Sequence, residues 1–191
     1  MTQRKKLVAI VGSVSAVSRT RVLVDALVGA LQAQSPLDVQ VLELARLAPH
    51  IGSAVGRDTL DATGAEAVAA IEGADIVVAA SPIYKGSYTG LFKHLLDFVH
   101  PDALVGRPVL LVATGGSDRH ALAVDHQLRP LFAFFRAQTV PSAVYGAEAD
   151  FDGYAIRSDT LALRIREAAE QAAALLAASA GGRRAELRAV A

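Results

Sequence analysis

The sequence predicts a doubly wound α/β fold, in which helices cover both faces of one parallel sheet. Short apolar runs alternate along the chain with longer helix-like segments, and this alternation favours parallel strands joined by helices. Four of the five runs are almost continuously apolar, as in strands that are buried on both faces. A length of 191 residues suits one domain and is too short for a two-domain dinucleotide enzyme.

The elements follow from these runs in chain order. The predicted strands are residues 7–11, 39–42, 76–80, 109–113 and 139–144. The predicted helices are residues 19–34, 61–72, 89–99, 119–137 and 158–178. Five strands in one chain of this length fit the flavodoxin-like strand order 2-1-3-4-5.

Two segments depart from the alternation. Residues 45–60 contain Pro49, Gly52 and Gly56, and we predict a surface loop there. Residues 1–180 are predicted to form a single domain, and the remaining residues 181–191, which begin with paired glycines, are predicted to fray.

Charge and cysteine content exclude several classes of protein. The 19 Lys and Arg residues balance 19 Asp and Glu residues, which argues against nucleic acid or an acidic membrane as a partner. The chain contains no Cys, which excludes a disulfide scaffold, thiolate metal sites and thiol chemistry, and no metal site is predicted. Residues 7–11 are too short for a signal-peptide core, and no run approaches the roughly 18 apolar residues of a membrane span. We therefore expect a soluble, cytoplasmic protein.

The segment after the first strand has the composition of a phosphate site. In doubly wound sheets, ligands bind beyond the carboxyl ends of the strands. Residues 12–20 read GSVSAVSRT and lead into a helix, so hydroxyls, a guanidinium and free helix amides come together. The segment is neither a Walker A loop nor a GxGxxG motif. The alternative is that Ser18 only caps the helix and Ser13 only closes a turn.

Two further loops are predicted at the same edge of the sheet. Residues 81–89 read SPIYKGSYT, where Pro82 restricts the backbone and Tyr84 offers an aromatic wall. The alternative interpretation of this segment is an ordinary surface loop. After the fourth strand, Gly115 and Gly116 let a ligand approach the backbone closely and leave amides free to donate. A phosphate pocket, a flat wall and an amide-lined slot together have the shape of a site for flavin mononucleotide (FMN).

The fourth predicted helix contains a proline. Pro130 deprives the carbonyl of His126 of its helical donor, so the helix must kink or widen, and a single π-turn is one form of this. Such turns often mark functional sites. His126 lies at the opening, and it is either functional or a solvent-facing side chain.

These segments resemble the NAD(P)H-dependent FMN reductases of two-component alkanesulfonate and methanesulfonate monooxygenase systems. The resemblance runs from about residue 6 to residue 154. It is strongest at GSVSAVSRT (residues 12–20), SPIYKGSYTGLFKHLLD (residues 81–97) and ATGGSDRHALAVDHQLRP (residues 113–130). The last segment, with its paired glycines and helix proline, is the most distinctive.

The resemblance implies a set of FMN-binding residues. It assigns the phosphate to Ser13, Ser18, Arg19 and Thr20. It assigns the ribityl chain and ring to Pro82, Ile83, Tyr84 and Lys85. It assigns the edge of the isoalloxazine to Thr114, Gly115, Gly116 and Ser117. His126 corresponds to the family's π-helix residue, and a His at this position tilts the resemblance toward the methanesulfonate branch.

The function that the resemblance implies is reduction of FMN by NADPH or NADH. A hydride passes from the nicotinamide to flavin N5, and reduced FMN is released to a partner monooxygenase of sulfonate desulfonation. We expect His126 to tune that release or a subunit contact. Two alternatives remain: an NAD(P)H quinone or azo-dye reductase that retains its FMN, and a flavodoxin-type electron carrier, against which the neutral charge argues.

The distribution of phenylalanine predicts self-association. Five of the six Phe residues lie in the predicted helices 89–99 and 119–137. Core packing accounts for some of them, and we expect the surplus at a subunit interface. We therefore predict a homo-oligomer, and the resemblance suggests a tetramer.

Overall fold

A parallel sheet forms the centre of the structure, a computed structural model that describes residues 4–179. Its strands are β1 (Lys5–Val11), β2 (Leu37–Glu43), β3 (Ile76–Pro82), β4 (Pro108–Gly115), β5 (Gln138–Thr139) and β6 (Val144–Ala147). The order is β2-β1-β3-β4-β5, and β6 also pairs with β4, so the predicted fold is confirmed. The segment predicted to fray, residues 181–191, lies outside the described residues.

Within the part of the chain that the structure describes, six α-helices cover the two faces of the sheet. They are α1 (Arg19–Gln34), α2 (Leu44–Ile51), α3 (Ala62–Gly73), α4 (Gly90–Asp97), α5 (Arg129–Phe134) and α6 (Asp159–Ser179). Helices α1 and α6 pack on one face, and α2 to α5 pack on the other. In α1, for example, Leu23, Leu27 and Leu31 are buried at helical spacing, and Ser18 caps the first turn. The helix predicted at residues 19–34 is therefore confirmed.

The loop predicted at residues 45–60 is wrong for its first half. Helix α2 occupies that half, and a single 3-10 turn (Arg57–Thr59) lies in the other half. Leu44, Leu47 and Ile51 are spaced as one helical stripe and are all buried against the sheet. Pro49 lies on the exposed side of this short helix, away from the apolar stripe. Burial of the apolar stripe outweighs the cost of the proline.

The fifth strand, predicted as one run over residues 139–144, is divided into β5 and β6. Thr139 pairs with Val109, but the next pair on the far side joins Val144 to Val112. Between these two pairs, the fifth strand therefore contains more residues than β4 does. Pro141 lies in the interval and has no N–H to donate to a ladder, so the strand leaves the sheet and returns.

The helix predicted at residues 119–137 is built from three different helical turns. A 3-10 turn (Asp118–His120) is followed by a π-helix (Val124–Leu128) and then by α5. Pro130 lies in the first turn of α5, where no intrahelical donor is required. The structure thus contains the predicted π-turn at His126. Because the helix widens there, Pro130 falls at the start of a new α-helix.

The phenylalanine residues lie mostly in the core of the single chain. Four of the five in the two helical regions are buried, namely Phe92, Phe98, Phe132 and Phe135. Phe134 alone among these five is exposed, at 67%. The surplus from which self-association was predicted is thus much smaller than the sequence indicates.

A small hairpin follows β6. It consists of a 3-10 turn (Glu148–Asp150) and the strands β7 (Phe151–Asp152) and β8 (Ala155–Ile156). Phe151 packs in the core beside Leu161 of α6, which fixes the hairpin to the body of the protein. Within residues 4–179, no helix is both long enough and apolar enough to cross a membrane.

Candidate functional site

A cavity of about 300 Å³ lies beyond the carboxyl ends of β1, β3 and β4. The three loops predicted from the sequence meet there. The lining residues are Ser13, Ser15, Val17, Ser18, Arg19, Thr20, Pro82, Ile83, Tyr84, Thr114, Gly115, Gly116 and Tyr154. Of the predicted binding residues, Lys85 and Ser117 do not line the cavity.

The loop after β1 presents hydroxyl groups and the start of α1 to this cavity. The Ser18 Oγ accepts a hydrogen bond from the backbone N–H of Arg21 at 3.1 Å, so Ser18 does cap the helix. Capping uses only a lone pair, so the Ser18 hydroxyl hydrogen can still donate to a ligand. Ser13 is buried, and its Oγ accepts from the N–H of Ser15 at 3.2 Å, which shapes the turn. The capping role and an anion-binding role are thus compatible.

Buried hydroxyl groups tie the three loops together. Thr20 Oγ1 and Thr114 Oγ1 are 2.6 Å apart, which joins the start of α1 to the end of β4. Thr89 Oγ1 donates to the carbonyl of Gly12 at 2.8 Å, and this bond joins the start of α4 to the loop after β1. Thr20, Thr89 and Thr114 are all buried, so these bonds fix the loops relative to one another.

A tight turn carries Tyr84 at the rim of the cavity. The backbones of Tyr84 and Ser87 exchange two hydrogen bonds, at 2.8 and 3.2 Å, around Lys85 and Gly86. Both central residues have positive φ, 53° and 84°, which is the conformation of a two-residue hairpin turn. Lys85 therefore lies at the tip of the turn. Ser87 Oγ donates to Gln127 Oε1 at 3.0 Å and so connects this turn to the π-helix.

Tyr145 supports the loop after β4 from beneath. Its hydroxyl donates to the carbonyl of Ser117 at 2.6 Å, and a Cβ atom on Gly115 would overlap that hydroxyl. A side chain at position 115 would therefore have to displace the Tyr145 phenol from this contact. Burial of the phenol raises the pKa of Tyr145, and the charges of Asp118 and Asp150 raise it further. The phenol stays protonated and remains a donor at physiological pH.

Arg19 lies at the rim and is held by the hairpin after β6. Its Nη2 donates to Glu148 Oε1 at 2.9 Å, and its Nε donates to the carbonyl of Gly153 at 3.4 Å. The next residue, Tyr154, lines the cavity. Sequence reasoning missed Tyr154, because nothing in its local pattern distinguishes it from any turn residue. Ser15 and Val17 were also missed, although they lie within the predicted loop.

His126 lies outside the cavity. It is exposed on the π-helix, and its backbone N–H donates to the carbonyl of Leu122 at 2.9 Å. Across residues 4–179, no group of three or more His, Asp or Glu side chains is arranged to hold a metal ion.

Comparison with known proteins identifies the family. The family model described as NADPH-dependent FMN reductase matches residues 5–152, which is most of the chain and includes all three cavity loops. The chain belongs to this family. The boundaries agree with the resemblance that the sequence motifs indicate.

Curated relatives of this FMN reductase family member cover nearly its whole length. An "FMN reductase (NADPH)" of Pseudomonas aeruginosa is 49% identical over 183 residues, which are 96% of each chain. An "NADH-dependent FMN reductase SfnF" of Pseudomonas fluorescens is 49% identical over 175 residues, covering 92% of this chain and 94% of the relative.

Solved structures share the fold over the same extent. An oxidoreductase from Corynebacterium diphtheriae has a TM-score of 0.84 at 35% identity, covering 91% of this chain and 97% of the other. The apo form of an NADH:FMN oxidoreductase named EMOB has a TM-score of 0.80 at 32% identity, covering 89% of both chains.

Family membership confirms the predicted class of enzyme. This FMN reductase is an oxidoreductase that uses FMN and NAD(P)H. A quinone or azo-dye reductase and a flavodoxin-type carrier are not favoured, since the relatives with about half of their residues identical are named as FMN reductases.

Proposed function

We propose that the cavity binds FMN with its phosphate at the start of α1, that NAD(P)H reduces the flavin there, and that reduced FMN leaves for a partner monooxygenase. The observation that carries this proposal is the meeting of three loops at one cavity. They supply hydroxyl groups, a helix N-terminus and a glycine-lined backbone, which are the groups that a flavin nucleotide requires. The residues present therefore fit FMN.

The phosphate end of the proposed site is the best defined. The first turn of α1 reads Arg-Thr-Arg, and its N–H groups face the loop at the positive end of the helix dipole. Ser18 can donate its hydroxyl hydrogen while capping. Of the bonded pair Thr20 and Thr114, one hydroxyl hydrogen joins the pair and the other is left to donate. These donors, with the Ser13 turn and the Arg19 guanidinium, suit a phosphate monoester.

The ring end of the proposed site is shaped by backbone and by two half-exposed tyrosines. Gly115 and Gly116 let the flavin edge approach the chain, and backbone amides there can stabilise negative charge on the reduced ring. Tyr84 is 49% exposed and Tyr154 is 56% exposed, so each offers a flat face at an open rim. When bound, FMN supplies the chemistry by accepting the hydride of the nicotinamide. The protein's part is to hold the two rings close and in line.

Release of reduced FMN is the second part of the proposal. An open cavity with half-exposed aromatic walls suits a flavin that binds and leaves. We assign the recipient to the sulfonate-desulfonating monooxygenases that the motif resemblance implies, acting in the cytoplasm. We also propose a homotetramer in which exposed His126 contributes to a subunit contact or to the control of release, not to hydride transfer.

Steady-state kinetics with matched flavins tests the proposed site. We expect NADPH or NADH oxidation to depend on added FMN and to be slower with riboflavin, which lacks the phosphate. Ser18→Ala should raise the KM for FMN about tenfold, the value of one hydrogen bond to a charged group, and leave the KM for riboflavin unchanged. The matched control is Ser158→Ala, which removes the hydroxyl that accepts from the N–H of Leu161 at the start of α6.

The outcomes separate the parts of the proposal. If the KM values for FMN and riboflavin rise equally in Ser18→Ala, the phosphate does not lie at α1. If Ser158→Ala raises the KM for FMN as much as Ser18→Ala does, the rise comes from destabilisation by the loss of a helix cap and not from a lost phosphate contact. A flavin that stays bound through purification, with no reduction of added FMN, would contradict the release of reduced FMN.

A further inference from the structure

The arginine expected to bind the FMN phosphate is already paired with a carboxylate. Arg19 Nη2 lies 2.9 Å from Glu148 Oε1, and the two residues are 129 positions apart in the chain. The side chains are 37% and 59% exposed, so the pair lies at the surface, at the rim of the cavity. The sequence motifs around Arg19 give no indication of this partner.

The position of Glu148 is fixed by its own segment. The N–H of Ala147 donates to Asp150 Oδ2 at 2.9 Å, and the N–H of Arg157 donates to the carbonyl of Asp150 at 2.9 Å. Buried Phe151 attaches the same segment to the core. Glu148 therefore begins a turn that is held independently of Arg19.

A phosphate monoester at this site and the Glu148 carboxylate would bind the same group, the guanidinium of Arg19. A phosphate ester carries close to two negative charges at pH 7 and binds arginine through charge-assisted hydrogen bonds, as a carboxylate does. When both anions face one guanidinium, each weakens the binding of the other by repulsion and by sharing its donors. At Arg19 the carboxylate belongs to the protein and is always present.

We propose that Glu148 sets the affinity for FMN: its carboxylate competes with the FMN phosphate for Arg19 and keeps the flavin exchangeable. This inference rests on the proposed function, because it requires the phosphate at the start of α1. Glu148 acts through Arg19 and is a positioning residue. Its competition lowers the affinity of a site that must release its product.

If the Glu148–Arg19 pair had a supporting role instead of a competing one, removal of Glu148 would change the affinity for FMN in the opposite direction. If Glu148 served as a support that aims Arg19 at the phosphate, its removal would weaken FMN binding. Arg19 also donates to the carbonyl of Gly153 at 3.4 Å, so the guanidinium keeps an anchor on the hairpin without Glu148. The structure therefore favours competition over support.

Equilibrium titration with two flavins measures the competition. The variant is Glu148→Gln, which keeps the shape of the side chain and removes its charge. We expect the Kd for FMN to fall about two- to fivefold, as for a half-exposed ion pair, and the Kd for riboflavin to stay the same. The FMN dissociation rate, measured by stopped flow, should fall with the Kd. In an Arg19→Gln background, adding Glu148→Gln should change neither value.

The matched control for charge is Glu66→Gln on α3, an exposed residue on the opposite face of the sheet. It makes the same change in net charge and should leave both Kd values unchanged. An unchanged or higher Kd for FMN in Glu148→Gln overturns the inference. Equal tightening of FMN and riboflavin, or equal tightening in Glu66→Gln, overturns it as well. Wild-type protein that binds neither flavin overturns the proposed function too, whereas FMN binding that Glu148→Gln leaves unchanged removes only this inference.

Discussion

Tyr145 controls the loop after β4 although it does not line the cavity. Its hydroxyl holds the carbonyl of Ser117, and a Cβ atom at residue 115 would displace that hydroxyl. The end of β4 and the loop after it supply Thr114, Gly115 and Gly116 to the cavity. The phenol therefore holds the segment that leads out of these residues, which makes Tyr145 a positioning residue.

Tyr145→Phe removes only the oxygen of that contact. We expect a loss of about 1 kcal/mol in the free energy of unfolding and a rise of severalfold in the KM for FMN, with kcat nearly unchanged. Tyr88→Phe is the control, because Tyr88 packs against Phe92 and does not line the cavity. Steady-state kinetics and urea unfolding measure both effects. A change in kcat without a change in KM would contradict the role in positioning.

The raised pKa of Tyr145 gives this prediction a pH dependence. The pKa of Tyr145 is higher in the folded protein than its ordinary value of 10.0, so folding favours the protonated phenol. The stabilisation of the folded state by the protonated Tyr145 is therefore fully present below pH 10. It is lost as the pH rises through the folded pKa. The difference in unfolding free energy between wild type and Tyr145→Phe should therefore be constant below pH 10 and shrink above it. A difference that grows above pH 10 would show that the pKa of Tyr145 is lowered, not raised, in the folded protein.

Single residues of the site could be predicted where they lie next to strand ends. Ser18, Tyr84 and Gly115 lie in the short segments that follow apolar runs, and parallel strands bring such segments to one edge. Tyr154 could not be predicted in this way, because it lies in a hairpin whose placement depends on the packing of Phe151. The pairing of Arg19 with Glu148 likewise depends on tertiary structure.

Among the secondary-structure elements, Arg129 compensates for the gap between β5 and β6 by donating hydrogen bonds to the residues there. Its Nη1 donates to Thr139 Oγ1 at 2.9 Å and to the carbonyl of Val140 at 3.2 Å, and its Nη2 donates to the carbonyl of Pro141 at 3.3 Å. Its Nε donates to Asp125 Oδ1 in the π-helix at 2.8 Å. One guanidinium thus satisfies carbonyls where the strand leaves the sheet and joins them to the widened helical turn.

Arg129→Met keeps most of the aliphatic stem and removes these donors. We expect a loss of about 2 kcal/mol in the free energy of unfolding, because one guanidinium supplies hydrogen bonds to a threonine hydroxyl and to two backbone carbonyls, one of them the carbonyl of fully buried Val140. Arg164→Met on α6 is the control: its pair with Glu167 is about half exposed, so the loss should be at most about 1 kcal/mol. Chemical denaturation measures both variants. Equal losses would show that Arg129 acts only as a surface charge.

The elements that the sequence predicts well are those in which pattern and packing agree. The continuous apolar runs of β1, β3 and β4 are buried on both faces, as their composition indicates. Helix α2 and the division between β5 and β6 were mispredicted for opposite reasons. In α2 the apolar spacing outweighed Pro49, whereas in the fifth strand Pro141 outweighed the apolar run. Local pattern alone does not determine which of the two effects is larger.

At the scale of the whole molecule, the chain buries most of the aromatic side chains from which self-association was predicted. Phe92, Phe98, Phe132 and Phe135 complete the core on one face of the sheet. What is left exposed near the π-helix is Leu122, at 66%, and Phe134, at 67%. The prediction of a homo-oligomer now depends on these two residues.

We predict that exposed Phe134 lies in a subunit contact. An exposed phenylalanine that packs edge-on against buried Phe135 is rigid and apolar, which suits the centre of an interface. We expect light scattering to give wild type a mass of several chains of 19.9 kDa, four on the proposal of a tetramer. Phe134→Asp should lower that mass, because a buried carboxylate would lack a partner. If the exposed π-helix shares the contact or controls release, His126→Ala should lower the mass less than Phe134→Asp does, or turn FMN from exchangeable to retained.

The control for this prediction is Leu163→Asp on α6, which is 59% exposed on the other face of the sheet. It introduces the same charge at a similarly exposed apolar position and should leave the mass unchanged. A monomeric wild type at micromolar concentration would contradict the interface altogether. If both variants lower the mass equally, the cause is added charge on any apolar patch. Loss of mass in Phe134→Asp alone would place the contact at the end of α5.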